Sequence, residues 1–321
     1  MGETNDRNHK SNRGDVILGP IEGQDILVLG PYLGEFGWEM FSWQPMMRAV
    51  ALLHPDRYVI AFTRGGEGKK KLYSFADEVR EPIDDPGFPS ECLLWHDFDK
   101  AKQEAANVVI KACLDSVMQE YGKDGDRDRS IEVASYGNLK SFNDPAFARG
   151  CPDPLIGDYA LACDQYDLDP AEKLVALCVR DRSVSRFRNW GAENWSTLGG
   201  CLQDKGIKHV FVGRIENREE WESLFSVIVG ECDLTDMTSV DDLINLFAGA
   251  ALAVGGSTGT LHLASRCACP HLVWGGEKNV MRFAETNWFG ANHKVYEWGW
   301  EPEPVSVAES IEHYLTEGSF L

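Results

Sequence analysis

From Leu174 to Trp274 the chain alternates short apolar runs with longer amphipathic ones. Leu174–Val179, His209–Gly213, Ala251–Gly255 and Leu272–Trp274 have the length and unbroken apolar character of strands buried on both faces. Trp195–Lys205, Glu219–Val229, Asp241–Ala248 and Thr260–Arg266 read as helices. Successive parallel strands need a crossover between them, so this alternation predicts an α/β domain whose parallel sheet is covered on both faces, with Leu272–Trp274 as its final strand.

The N-terminal half begins in the same way. Asp25–Gly30 is an apolar run ending in Gly, Trp38–Leu53 a helix interrupted by Pro45, and Tyr58–Phe62 a second strand. Glu91–Trp95 as a strand, Ala101–Tyr121 as a long helix and Lys123–Arg129 as a charged loop continue the pattern. Pro, Gly and Asp crowd the span from Asn143 to Pro170, which predicts irregular chain and a domain boundary. A length of 321 residues suits two such domains better than one. The expected division is a disordered 1–15, Rossmann-like domains at 16–165 and 166–300, and a C-terminal helix in 301–321, centred on Val307–Leu315.

Composition narrows the function. With 43% hydrophobic and 26% charged residues the chain is neither fibrous, disordered nor membrane-spanning in character. A net charge of -20 argues against general nucleic-acid binding, which depends on clustered cations. Two local cationic clusters stand out: Arg180, Arg182, Arg186 and Arg188, and more weakly Arg64 with Lys69, Lys70 and Lys71. The 9 Cys have no framework spacing, and Cys267 with Cys269 lacks the second pair a zinc site needs, so buried thiols in a reducing compartment are expected. No apolar stretch is long enough to span a bilayer and Met1–Asp15 has no signal-like apolar segment, which together predict a cytoplasmic protein.

Two places could carry chemistry. After the strand Ala251–Gly255 comes a turn of small residues, Gly256-Ser257-Thr258-Gly259, opening a helix that carries His262. Backbone amides at such a turn, with the helix N-terminus behind them, suit an anion, although a Ser-capped tight turn is the plainer reading. Upstream, the strand Leu174–Val179 ends in Arg180-Asp181-Arg182, with Arg186, Arg188 and Asn189-Trp190 following. Open α/β sheets bind ligands at strand C-terminal ends, so these guanidinium groups are placed to meet a diphosphate.

In this order, with Val212-Gly213, Asp233-Leu234-Thr235, and Ser257-Thr258-Gly259 followed by His262 and Ala264, the segment from Leu174 to about Gly276 resembles the C-terminal domain of heptosyltransferase-like glycosyltransferases. The family usually has Asp where Ser257 stands. The resemblance implies a GT-B architecture, two Rossmann-like parallel-sheet domains facing a cleft. It implies a nucleotide-sugar donor on the C-terminal side, held by Arg180, Arg182, Arg188, Gly213, Arg214, Ser257, Thr258, Gly259, His262, Glu277 and Lys278. The N-terminal domain would take the acceptor near Gly34, Trp38 and Arg64. An acidic residue in the loop after the first strand would be the general base, either Glu35 or Glu39, with Glu35 preferred for its preceding Gly. The implied reaction is transfer of a hexosyl or pentosyl group to an acceptor hydroxyl with inversion, using no metal or other cofactor. Alternatives are a non-catalytic nucleotide-sugar-binding module, a sugar epimerase on the same frame, and a transferase acting on hydroxylated bases in DNA. The last needs Arg64 and Lys69–Lys71 to border the cleft. Asp97 and Asp99 offer a weak metal-binding pair, and Trp38, Trp43, Trp95 and Trp288 are candidates for stacking on sugar rings.

Overall fold

The structure, a computed structural model, describes residues 24–85, 100–122, 131–134, 153–183, 185–225, 232–285, 287, 289–297 and 299–320. Glu91–Trp95, Asp97, Asp99, Lys123–Arg129, Trp288 and residues 1–15 lie outside them.

Two parallel sheets carry the fold. The first contains β1 (Ile26–Tyr32), β2 (Tyr58–Thr63), β3 (Glu78–Arg80) and β4 (Ile131–Ala134) in the order β3-β2-β1-β4. The second contains β5 (Val175–Asp181), β6 (His209–Ile215), β7 (Cys232–Asp233), β8 (Leu252–Gly256), β9 (His271–Trp274) and β10 (His293–Glu297) in the order β10-β9-β8-β5-β6-β7. Every pairing in both sheets is parallel.

Strand alternation sorts the cores. In β1, Ile26 and Val28 pack with Val109, Cys113 and Val117, a stripe at fourfold spacing on the helix α3 (Lys100–Tyr121). Leu27 and Leu29 point the other way, into an apolar cluster shared with Met40, Trp43 and Met47 and with Leu243, Ile244, Leu261, Leu263 and Val273. That cluster joins the two sheets through packed apolar surface. In β5, Val175, Leu177 and Val179 face Trp190, Trp195, Leu198 and Leu202. The helix α10 (Pro304–Glu317) closes this face with Val307, Ala308 and Ile311, so the C-terminal helix belongs to the second sheet's core.

Several elements differ from the sequence-based expectation. Leu272–Trp274 is not the final strand, because β10 follows it through α9 (Glu277–Glu285). The stretch expected to be irregular contains a helix, α4 (Tyr159–Tyr166), capped by Asp158, whose side chain accepts from the Leu161 amide at 3.3 Å. Pro45 breaks the hydrogen-bond ladder without ending the helical run. It sits in the first turn of α2 (Gln44–Leu53), after α1 (Phe36–Trp38) and a π-helical turn over Glu39–Trp43. In that turn the Gln44 amide reaches back to the Glu39 carbonyl, and the next donor in the same register would be residue 45, a proline with no N–H. The carbonyl this strands, that of Met40, accepts instead from Arg266 Nη1 at 2.7 Å.

Candidate functional site

In the second sheet β6 lies on one side of β5 and β8 on the other, so the strand order reverses between β5 and β8. Such a reversal opens a crevice beyond the strand ends, because the connections leave toward opposite sides. The end of β5 carries Arg180 and the loop after it Arg182 and Arg188, and the turn after β8 carries Ser257, Thr258 and Gly259. The two meet: Arg188, in a 3₁₀ turn at Arg186–Arg188, donates from Nη2 to the Ser257 carbonyl.

Asn189 ties the basic loop together. Its Oδ1 accepts from Arg180 Nη1, and its Nδ2 donates to the Arg182 carbonyl at 2.9 Å and to Asp181 Oδ1 at 3.1 Å. Arg182 pairs at 3.6 Å with Glu216 at the rim. Burial lowers the Arg180 pKa to about 10, with Arg188 and Arg182 adding to the fall and Glu35 opposing it. Burial also lowers that of Arg188, and here Glu35 is the largest opposing influence. The candidate base therefore lies within electrostatic reach of both arginines.

The Ser257 turn is held from below. The Ser257 amide donates to the Trp274 carbonyl at 2.8 Å, its hydroxyl reaches the Asn279 carbonyl at 3.4 Å, and the side chain is buried. Thr258 caps α8 (Gly259–Arg266), its Oγ1 accepting from the Leu261 amide at 3.3 Å. Both hydroxyls thus serve the turn, and the groups left to meet an anion are the first amides of α8, which have no partner within the helix. His262 is placed differently from expectation. It is buried one turn further on, its ring stacked 4.0 Å from that of Phe283. Burial, with His271, Arg282 and Arg188 nearby, lowers its pKa to about 3, so it lends the site no positive charge near neutrality.

Gly259 brings the two sheets' loops together. A Cβ on it would lie 2.7 Å from Phe36 Cδ1 and 3.1 Å from the Gly37 amide, so the start of α8 touches the start of α1. Glu35 is the residue before α1, partly exposed and preceded by the partly exposed Gly34, and its carbonyl accepts from Tyr32 Oη at 2.7 Å. Glu39 is in a different situation. It is 1% exposed and accepts from Thr63 Oγ1 at 2.5 Å, Lys69 Nζ at 2.5 Å and Tyr73 Oη at 2.7 Å. A carboxylate with three buried donors is a structural anion, which leaves Glu35 as the candidate base.

The second cationic cluster is dispersed. Arg64 makes a two-pronged ion pair with Asp85, Nε to Oδ2 at 2.5 Å and Nη2 to Oδ1 at 2.8 Å, which occupies the fork expected to meet an acceptor. Lys69 is buried on Glu39, Lys70 lies 3.9 Å from Glu67, and Lys71 donates to Asn245 Oδ1 at 2.6 Å. Four cations with four separate partners form no patch for a polyanion, so the DNA alternative loses its premise.

The remaining positions fall around the crevice with less chemistry. Gly213 has φ +121°, and a Cβ would lie 2.2 Å from the Val179 carbonyl, so close strand packing requires glycine there. Arg214, paired in register with Arg180, is exposed, as are Glu277 and Lys278 in the first turn of α9. Sequence reasoning missed Arg282, whose guanidinium lies 5.1 Å over the Trp38 ring and joins α9 to α1. It also missed Trp300, packed 5.0 Å from the Arg188 guanidinium. The only sequence signal for the latter is the Trp-Gly-Trp run at 298–300.

Residues 157–273 match the model of glycosyltransferase family 9 (heptosyltransferase). A comparison with curated proteins by sequence finds no match. Among solved structures, the Escherichia coli ADP-heptose LPS heptosyltransferase II is similar at a TM-score of 0.54 and 16% identity, over 92% of this chain and 99% of that one. A family 9 glycosyltransferase from Veillonella parvula gives 0.54 and 12%, over 94% and 90%. Escherichia coli heptosyltransferase WaaC with ADP gives 0.50 and 15%, over 92% and 100%. At these identities the likeness establishes the fold, and together with the family match it identifies the chain as a GT-B protein whose second half resembles the heptosyltransferase family of glycosyltransferases.

Proposed function

We propose that this chain transfers a sugar from a nucleoside-diphosphate sugar to an acceptor hydroxyl, with inversion and without a metal. The observation that carries the reading is the convergence of Arg188, the Ser257 turn and Glu35, from three separate loops, on one crevice. Glu35 removes the proton from the acceptor hydroxyl. The hydroxyl oxygen then attacks the anomeric carbon opposite the leaving group, whose bond to the diphosphate oxygen breaks. Arg180, Arg188 and the first amides of α8 take up the charge that develops on the departing nucleoside diphosphate.

The similar structures bear on the sugar. Two are named as heptosyltransferases, one of them for ADP-heptose, so an ADP-linked heptose is the first donor to test, ahead of the hexosyl and pentosyl donors that the sequence suggested. A hydroxyl of a carbohydrate is the corresponding acceptor. No helix among the described residues is long and apolar enough to cross a membrane. The direct test is a thermal-shift series with ADP, UDP and GDP, since a ligand bound only by the folded state raises Tm. We expect at least one to stabilise the protein and Arg188→Ala to diminish the effect. Absence of any shift would remove the basis of the proposal.

A further inference from the structure

Trp300 lies in the chain after β10, yet its indole packs on the ends of β8 and β9. A Cβ on Gly275 would come within 3.0 Å of its ring, one on Gly276 within 3.6 Å and one on Gly256 within 3.8 Å. Three positions without side chains therefore leave room for this one large ring. Against the same indole lie the Arg188 guanidinium, 5.0 Å from the ring centroid, and the Phe187 ring, edge-on at 6.0 Å. Arg188 is also fixed at its far end by the Ser257 carbonyl. Its Nε is out of contact with solvent and has no hydrogen-bond partner among the described residues.

These contacts are of an unusual kind for a cation. An aromatic face and a neutral carbonyl orient the guanidinium and, among the described residues, no carboxylate is in contact with it and Nε has no partner. A free arginine must give up rotamer freedom to grip an anion, whereas a stacked one has given it up before the ligand arrives. We propose that Trp300 is a positioning residue that holds the plane of Arg188 against the Ser257 turn, so that its remaining N–H groups face the donor diphosphate. The inference rests on the reading of this crevice as the diphosphate site. It predicts that Trp300 acts on ligand binding through Arg188 and by no other route.

A double-mutant cycle tests this, with calorimetric titration of whichever of ADP, UDP and GDP binds the wild-type chain most tightly. Trp300→Leu should weaken binding by about tenfold and Trp300→Phe, which keeps an aromatic face, by no more than about threefold. In an Arg188→Ala background, Trp300→Leu should add nothing. A general packing role would lower affinity equally in both backgrounds, and that result would overturn the inference, as would wild-type affinity in Trp300→Leu. Should Trp300→Leu not fold, Arg188→Lys decides with the indole in place: an ammonium keeps the charge but has no plane to stack, so binding should fall nearly as far as in Arg188→Ala, and retained affinity would refute the idea. If the wild-type chain binds no nucleoside diphosphate, the reading of the site itself has failed; if it binds and the cycle is additive, only the role of Trp300 has.

Discussion

Arg266 Nη1, in the last turn of α8, donates to the Met40 carbonyl at 2.7 Å across 226 residues of sequence. The same guanidinium, 2% exposed, reaches Gln44 Oε1 at 3.2 Å, Asp153 Oδ1 at 3.1 Å and the Asp153 carbonyl at 3.0 Å. It binds the turn that follows Glu35 to the helix that starts at the crevice between β5 and β8. Burial lowers its pKa to about 10, with Asp153 opposing the fall, so it stays charged at neutral pH.

Removing that cation should be costly. In Arg266→Met the Asp153 carboxylate, the Gln44 side chain and the Met40 carbonyl all lose a buried donor. Breaking a buried pair costs about 3–5 kcal/mol, which for a chain of this size lowers Tm by roughly 5–7 °C. Differential scanning calorimetry reads this directly, and a change under 2 °C would mean that solvent or rearranged partners replace the cation.

The two candidate bases separate by their partners. Glu35→Gln should lower the transfer rate by about 10²–10⁴-fold while nucleoside diphosphate binding persists, because the proposed diphosphate contacts come from Arg180, Arg188 and the first amides of α8 and not from Glu35. Glu39→Gln should act on stability instead. It leaves buried Lys69 without its carboxylate, at a cost of about 3 kcal/mol. Rate and Tm measured on both variants assign the roles; an inactive but fully stable Glu39→Gln would reverse them.

How far the sequence spoke depended on burial. Strands covered on both faces, such as β5 and β8, are unbroken apolar runs and were legible to within two residues. The edge strands β3, β7 and β10 were not, because two or three residues, or a run such as His293–Glu297 with polar residues on either side of Val295-Tyr296, carry no such signal. The helix α4 was hidden by the Pro and Asp around it. At the site, general rules put ligand-binding loops after strand ends, which is why Arg188 and Ser257 were read together, and the structure brings the two into contact. Which carboxylate was buried could not be, since Thr63, Lys69 and Tyr73 reach Glu39 only through the pairing of β1 with β2 and the turn after it.

Acid should destabilise the fold through its buried imidazoles. Burial lowers the pKa of His262 from 6.5 to about 3 and that of His271 from 6.5 to about 4, and it moves His209 in the same direction. Below pH 6.5 the unfolded chain takes up protons that the folded chain refuses, so stability is full above that pH and falls as pH drops. Between pH 6.5 and 5 the loss is about 1.5 kcal/mol for each of His262 and His271. Urea unfolding at the two pH values checks the sum, and His262→Asn should remove its share.

If charge on the leaving group is met by arginines and helix amides, transfer should not depend on a divalent cation. Activity after dialysis against EDTA should stay within about twofold of the untreated enzyme, and Arg188→Ala should lower it by about 10²-fold or more. Loss of activity on chelation, restored by Mg²⁺ or Mn²⁺, would transfer the role of Arg188 to a metal.

The contact at Gly259 connects the two halves of the proposed chemistry. Its amide is among those proposed to meet the diphosphate, and its Cα faces Phe36 and Gly37 directly after Glu35. Gly259→Ala would put a methyl group 2.7 Å from Phe36 Cδ1, closer than unbonded carbons approach, while leaving the amide in place. α1 must then move away from α8, carrying Glu35 from its position relative to the donor. Because a displacement of about 1 Å can cost about 10²-fold in rate, kcat should fall far more than nucleoside diphosphate affinity. Phe36→Ala in the same chain removes the ring atoms that the methyl meets, so it should recover part of kcat. Equal losses of kcat and affinity, with no recovery in the double variant, would show that Gly259 serves the diphosphate alone and that the approach of α1 to α8 has no part in catalysis.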